Sequence, residues 1–247
     1  MRLIHAAEPA PGAGVSEDCV LTGPDFALVV DGATASGRET GCRHDVAWFA
    51  RRLSAALGAL LLTGGTAPLP ELLRAAITEV RAAHPQCDLG NRDSPSATVA
   101  AVRAAAGRLD VLVLADSPVL VETADGALHV LSDDRLDRLP AYDAASVAAL
   151  RNHPDGFWVA SIDPGAADQA LTRSFPLDSV RRFAVLSDGV SRLSEHFGLS
   201  WQALLDLLDV SGPDAAIAAV RARERALAPG EFTGKRHDDA TAVFGRP

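Results

Sequence analysis

The chain has 247 residues, 48% hydrophobic and 22% charged, with a formal net charge of −9 and a pI near 5.2. That apolar content excludes a disordered chain, and the length suits one large domain, so residues 1–247 are expected to form a single unit. The acidic balance argues against nucleic acid and anionic membranes as partners, because phosphate-rich surfaces select an excess of lysine and arginine.

Residues 1–10 carry Arg2, His5 and Glu8 with no apolar segment and do not read as a signal peptide. Cys19 to Thr22 and Phe26 to Val30 read as short strands around the turn Thr22-Gly23-Pro24-Asp25. A helix is predicted from about Asp45 to Leu62. Val46, Phe49, Leu53, Leu57, Leu60 and Leu61 recur there at three- and four-residue steps. A second helix spans roughly Pro68 to His84, its prolines placed in the first turn. Ala97 to Arg103, Leu109 to Ala115, Val119 to Thr123 and Ala127 to Leu131 read as strands. Asp125-Gly126 is a hairpin signal, so 109–131 is expected to be one antiparallel meander. Short helices follow at Tyr142 to Arg151 and Gly165 to Arg173, then a strand at Arg182 to Ser187. Two helices, Trp201 to Leu208 and Pro213 to about Leu227, precede a last strand at Ala240 to Phe244. Strands clustered in meanders point to an α+β fold with helix-covered sheets. No GxGxxG or GxxxxGK[ST] motif is present.

Cys19, Cys42 and Cys87 form no CxxC pair, which argues against a zinc knuckle or disulfide framework and for reduced thiols in the cytoplasm. The apolar run Leu53 to Leu62 is shorter than the roughly 20 residues a bilayer requires. His5, His84, His129, His153 and His196 lack HxH or HxxxH spacing and read as surface or packing residues. Arg221, Arg223 and Arg225, around Glu224, read as a solvated helix face. Cys42 lacks the glycines of a phosphate-binding loop, which speaks against a cysteine nucleophile.

The informative feature is where the aspartates fall. Apolar strands run into Asp31-Gly32, Asp116-Ser117 and Asp188-Gly189; Asp238-Asp239 precedes the last strand and Glu17-Asp18 the first. In antiparallel neighbours, one strand's start lies beside the next strand's end, so these points can converge on one edge. Converging carboxylates repel and persist when a cation neutralises them; all-oxygen donors suit Mg²⁺ or Mn²⁺. A pair of such ions can activate water for in-line displacement at phosphorus. Each Asp-Gly alone is also an ordinary turn.

Taken in order, Ser16-Glu17-Asp18, Val29-Val30-Asp31-Gly32, Ser96-Ala97-Thr98, Ala115-Asp116-Ser117, Ser187-Asp188-Gly189-Val190 and Asp238-Asp239-Ala240-Thr241 resemble the motifs of the metal-dependent protein phosphatases of the PPM/PP2C type. The resemblance implies an α/β/β/α sandwich of two antiparallel sheets flanked by helices. It implies two Mn²⁺ or Mg²⁺ ions, with a third in bacterial members, and hydrolysis of phosphoserine or phosphothreonine in a protein partner by a water bridging two ions. By the same resemblance Asp31 bridges both metals and the Gly32 carbonyl is a ligand. Asp188 and Asp238 ligate one ion. Glu17 and Asp18 hold metal-bound waters, Asp116 serves the third ion, and Thr98 and Ser117 support the site.

The chain also departs from that pattern. The family's phosphate-gripping arginine corresponds to Ala13, its asparagine to Ser16, and its Met/His-Gly-Gly to Ala33-Thr34-Ala35. Pro118 and Asp239 replace a further arginine and asparagine. Arg43 and His44, with Arg38 nearby, are candidates to supply a phosphate clamp and a leaving-group acid. Their plainer reading is solvated loop charge and a His44-Asp45 helix cap. A catalytically weakened metal- or phosphoprotein-binding descendant and a small-molecule phosphohydrolase are the competing functions.

Overall fold

The computed structural model describes residues 1–33, 39–141, 143–228, 231 and 235–247. The loop residues Thr34 to Arg38 and the predicted helix start Tyr142 lie outside that set. Ten strands among the described residues form two five-stranded antiparallel sheets. In chain order the strands are β1 (Arg2–Glu8), β2 (Cys19–Thr22), β3 (Phe26–Ala33), β4 (Ser96–Ala105), β5 (Arg108–Leu114), β6 (Val119–Thr123), β7 (Leu128–Leu131), β8 (Leu171–Pro176), β9 (Val180–Leu186) and β10 (Ala240–Arg246). One sheet runs β2-β3-β4-β5-β8 and the other β1-β10-β9-β6-β7.

Why the strands read as unbroken apolar runs follows from what covers them. Phe26, Leu28 and Val30 face helices α1 (Val46–Thr63) and α2 (Leu69–Ala82), while Ala27 and Val29 face the opposite sheet beside Val185 and Val243. A strand buried on both faces has no polar face to alternate with. On the far side, α4 (Asp188–Glu195), α5 (Trp201–Ser211) and α6 (Pro213–Ala226) cover Leu120, Ala184, Leu186 and Phe244. The short α3 (Ala144–Leu150) packs near Leu139, Phe157 and Val159. The four-layer sandwich implied by the motifs is therefore the observed architecture. α1 is long and apolar enough to cross a membrane by length and composition, and here Phe49, Leu53 and Leu57 insert it into the core.

The segment 109–131 is not one meander: β5 pairs with β4 and β8, whereas β6 pairs with β7 and β9 in the other sheet. The chain changes sheets at Ala115, whose φ of 68° is a left-handed conformation costly for a residue with a Cβ. Gly165 to Arg173 is a 3-10 turn, Pro164–Gln169, followed by β8. β1 was not foreseen. Asp31 and Gly32 lie within β3 instead of in a turn after it, and Asp188 opens α4 instead of a turn.

On α6, Arg223 and Arg225 are exposed as expected, but Arg221 and Glu224 are buried. Glu224 is fully buried and accepts from Arg192 Nη1 at 3.1 Å and Arg221 Nη1 at 3.0 Å, with His237 Nδ1 at 2.7 Å. Removing one partner of such a buried network strands the others' charge. Glu224→Gln is expected to cost about 3–5 kcal/mol of folding free energy, read from chemical denaturation.

Candidate metal centre

The strand registers bring the acids to one edge. Cys19 pairs with Val30 and Asp31 with Thr98, so the start of β2, the end of β3 and the start of β4 coincide. In the other sheet Ala242 pairs with Leu186, and Ser187 N–H donates to the Thr241 carbonyl at 2.9 Å. This places Asp238 and Asp239, just before β10, beside Asp188, just after β9.

Two bonds then cross between sheets. Thr241 Oγ1 donates to Asp18 Oδ2 at 2.7 Å. Glu17 N–H donates to Asp239 Oδ2 at 2.6 Å, while within its own sheet Asp239 Oδ1 accepts from Ala10 N–H at 2.7 Å. At the head of α4, Asp188 N–H points to Asp31 Oδ2 at 3.4 Å. Thr98 and Ser117 share a buried hydroxyl–hydroxyl bond of 2.5 Å.

Electrostatics show how close the carboxylates lie. Burial, then the charges of Asp18, Asp188, Asp116 and Asp238, hold the Asp31 carboxyl well above the usual range. Burial pushes Asp18 up to about 7, against opposing bonds from Thr241 and Ser187. Burial and Asp188 push Asp116 to about 7 as well, and burial and Asp238 raise Asp188. Asp18, Asp31, Asp116, Asp188 and Asp238 are thus one electrostatic group, although they span 220 positions of sequence. Glu17 is held nearby by its backbone N–H on Asp239. A Cβ on Gly32 would lie 2.8 Å from Glu17 Cβ and 2.5 Å from Val46 Cγ1, so only glycine lets these chains meet. At Gly189 the equivalent space is filled by the Asp239 carbonyl.

The residues fit a divalent cation. Asp18 Oδ1 is buried with no hydrogen-bond partner, an expensive condition for an acceptor unless an ion completes it. The donors are all oxygen, which selects hard ions of the Mg²⁺ and Mn²⁺ kind.

Other groups at this edge escaped the sequence reading. A cavity of about 350 Å³ is lined by Asp116, Asp188, Asp137 and Glu195. Glu195 is raised to about 7 by burial and by Asp188 and Asp137. It stands seven residues, two helical turns, after Asp188 on α4; that spacing was available once Asp188 was seen to start a helix. Lys235 reaches Asp238 Oδ1 at 3.4 Å, and Asp188 and Asp31 help hold its ammonium charged. Arg192 Nη2 reaches Asp238 Oδ2 at 3.3 Å. The predicted Arg43 and His44 sit at the entry to α1. The Asp45 side chain caps that helix at Trp48 N–H, 2.7 Å away. The His44 ring stacks on Trp48 at 3.9 Å, and Arg43 is exposed.

Residues 16–221 match the family described as protein phosphatase 2C. The chain belongs to the protein phosphatase 2C family. No curated protein matches it. Among solved structures, the Mycobacterium tuberculosis serine/threonine phosphatase PstP/Ppp superposes with a TM-score of 0.61 at 20% identity, covering 98% of this chain and 97% of that one. PppA of Pseudomonas aeruginosa gives 0.61 at 17% identity, covering 99% and 96%. Stp1 of Staphylococcus aureus gives 0.62 at 11% identity, covering 98% and 93%. At these identities the likeness is one of fold.

The raised carboxyls make metal-free stability pH-dependent. A group whose folded pKa exceeds its unfolded value binds the proton more tightly when folded, so its contribution is lost as pH rises. For Asp18 and Asp116 the window runs from the ordinary 3.8 to about 7. The metal-free protein should therefore lose melting temperature from pH 5 to pH 8. Asp31→Asn should flatten that loss while abolishing the rise in Tm on adding Mn²⁺. Both are read by thermal scans with and without chelator.

Proposed function

We propose that this chain is a cytoplasmic, Mn²⁺- or Mg²⁺-dependent phosphatase acting on phosphoserine and phosphothreonine in proteins. The observation that carries the reading is the Asp31 carboxylate facing Asp18, Asp116, Asp188 and Asp238 at one edge of the sandwich. A relative in fold, the PstP catalytic domain, was solved in complex with 2 manganese ions.

Asp31, Asp188 and Asp238, with the Gly32 carbonyl, would hold two cations. Glu17 and Asp18 would orient water at one of them, and Asp116 with Asp188 would hold a third. When bound, such ions neutralise phosphoryl charge and make water a nucleophile near neutral pH. The chain's own residues do the positioning. Thr241 fixes the Asp18 carboxylate, Arg192 fixes Asp238, and the α4 N–H at Asp188 steadies Asp31.

Phosphate capture cannot use an arginine at position 13, which is Ala13. Lys235, coupled to Asp238, Asp188 and Asp31, is the cation we assign to it. Arg43 and His44 are the alternative clamp and leaving-group acid. The reading predicts Mn²⁺-stimulated hydrolysis of p-nitrophenyl phosphate and of phosphopeptides in preference to phosphometabolites. Asp31→Asn or Asp188→Asn should lower kcat about 1000-fold or more, since several kcal/mol of transition-state stabilisation would go. Metal binding without turnover in the wild-type protein would instead indicate a binding module. Lys235→Ala should raise KM with kcat and folding largely kept. An unchanged KM there, with a raised KM in Arg43→Ala, would move the clamp to the α1 entry loop.

A further inference from the structure

Away from the acidic edge, Gly41 takes a φ of 65°, and a Cβ there would lie 2.8 Å from Asp88 Cβ. Glycine thereby lets two loops touch: the one entering α1 and the one following α2. Asp88 N–H donates to the Gly41 carbonyl at 2.8 Å, and Asn91 Nδ2 to the Glu39 carbonyl at 2.9 Å. The contact brings Cys42 Sγ to 3.3 Å from Cys87 Sγ and 3.5 Å from His84 Nδ1. The three ligand atoms all lie within 4.8 Å of one another.

We propose that Cys42, Cys87 and His84 bind one zinc ion that ties these two loops together. Bonds of about 2.3 Å to sulfur and about 2.0 Å to nitrogen, at tetrahedral angles, place sulfurs about 3.8 Å apart and sulfur and nitrogen about 3.5 Å apart. Two of the three separations, 3.3 and 3.5 Å, already lie within about half an ångström of these values, and the third ligand pair lies within 4.8 Å, with both sulfurs partly exposed and the imidazole buried. Thiolate stability is built in at Cys87 but not at Cys42. His44 N–H donates to Cys42 Sγ at 3.4 Å, and the Arg43 backbone N–H holds the Cys87 thiol below its ordinary value. Burial and His44 lower His84, keeping its ring in the neutral form that ligates. Burial raises the Cys42 thiol, so binding there releases a proton. Two soft sulfurs and an imidazole select zinc, while the oxygen-only edge selects harder ions, so each ion has its own place. The site does not depend on the phosphatase reading.

Cobalt reports the site directly, because thiolate ligation produces a charge-transfer absorption that carboxylate ligation does not. The full-length chain, reduced and saturated with Mg²⁺, is titrated with Co²⁺ and then Zn²⁺. The expected result is a thiolate band that saturates at one Co²⁺ per chain and is displaced by Zn²⁺. Asp31→Asn should keep the band, Cys42→Ser/Cys87→Ser should lose it, and His84→Gln should weaken Co²⁺ binding. Circular dichroism checks that each variant folds; should the double variant not fold, Cys87→Ser alone carries the test. No band in the reduced wild-type chain, or a band that survives loss of both thiols, overturns the proposal. So does a chain that stays bandless and forms a Cys42–Cys87 disulfide in air, which would assign the pair to redox chemistry.

Discussion

The hydroxyl of Thr241 bonded to the carboxylate of Asp18 is the joint on which the acidic edge depends. It joins β10 of one sheet to β2 of the other, and Asp239, gripping the Glu17 amide, doubles it. Hydrogen bonds to a charged acceptor contribute about 1.5–3 kcal/mol each. Here they oppose mutual repulsion among the five acids of this edge. Without them the two sheets would have every electrostatic reason to splay at this end, and the hydrophobic interior between Val29 and Val185 would open with it.

The acids are not equivalent. Asp238 has two cations near it, Arg192 at 3.3 Å and Lys235 at 3.4 Å. Asp18 is fixed by a neutral hydroxyl and keeps one oxygen buried and unmatched. Burial raises the Asp18, Asp31, Asp116 and Asp188 carboxyls, while Asp238 is paired with Arg192 and Lys235. The buried Glu224 orients Arg192 from behind, so α6 supports an edge it never lines.

Much of this was legible because it is local. Asp31, Asp116, Asp188 and Asp238 each abut an apolar strand, and strand ends are where antiparallel registers bring chains together. α1 and α2 announced themselves by periodicity, and the ordered motifs indicated the sandwich. What escaped depends on distance. β1 and β8 are edge strands with mostly exposed residues, so they lack an apolar signature. The passage between sheets at Ala115 looks like any turn until the partners of β5 and β6 are known. Glu224 reads as solvated among arginines because its partners Arg192 and His237 come from elsewhere in the chain. Cys42 and Cys87 are separated by 45 positions, and only the loop contact at Gly41 and Asp88 makes them neighbours.

That the acidic edge draws on both sheets has a further effect. A cation gripped from two layers at once has no comparable affinity for the unfolded chain, so its binding free energy adds to the folding free energy by mass action. The supply of free divalent ions would then govern how long each molecule resists unfolding and proteolytic clearance, quite apart from how fast it turns over. Scarcity would thin the population as well as idle it.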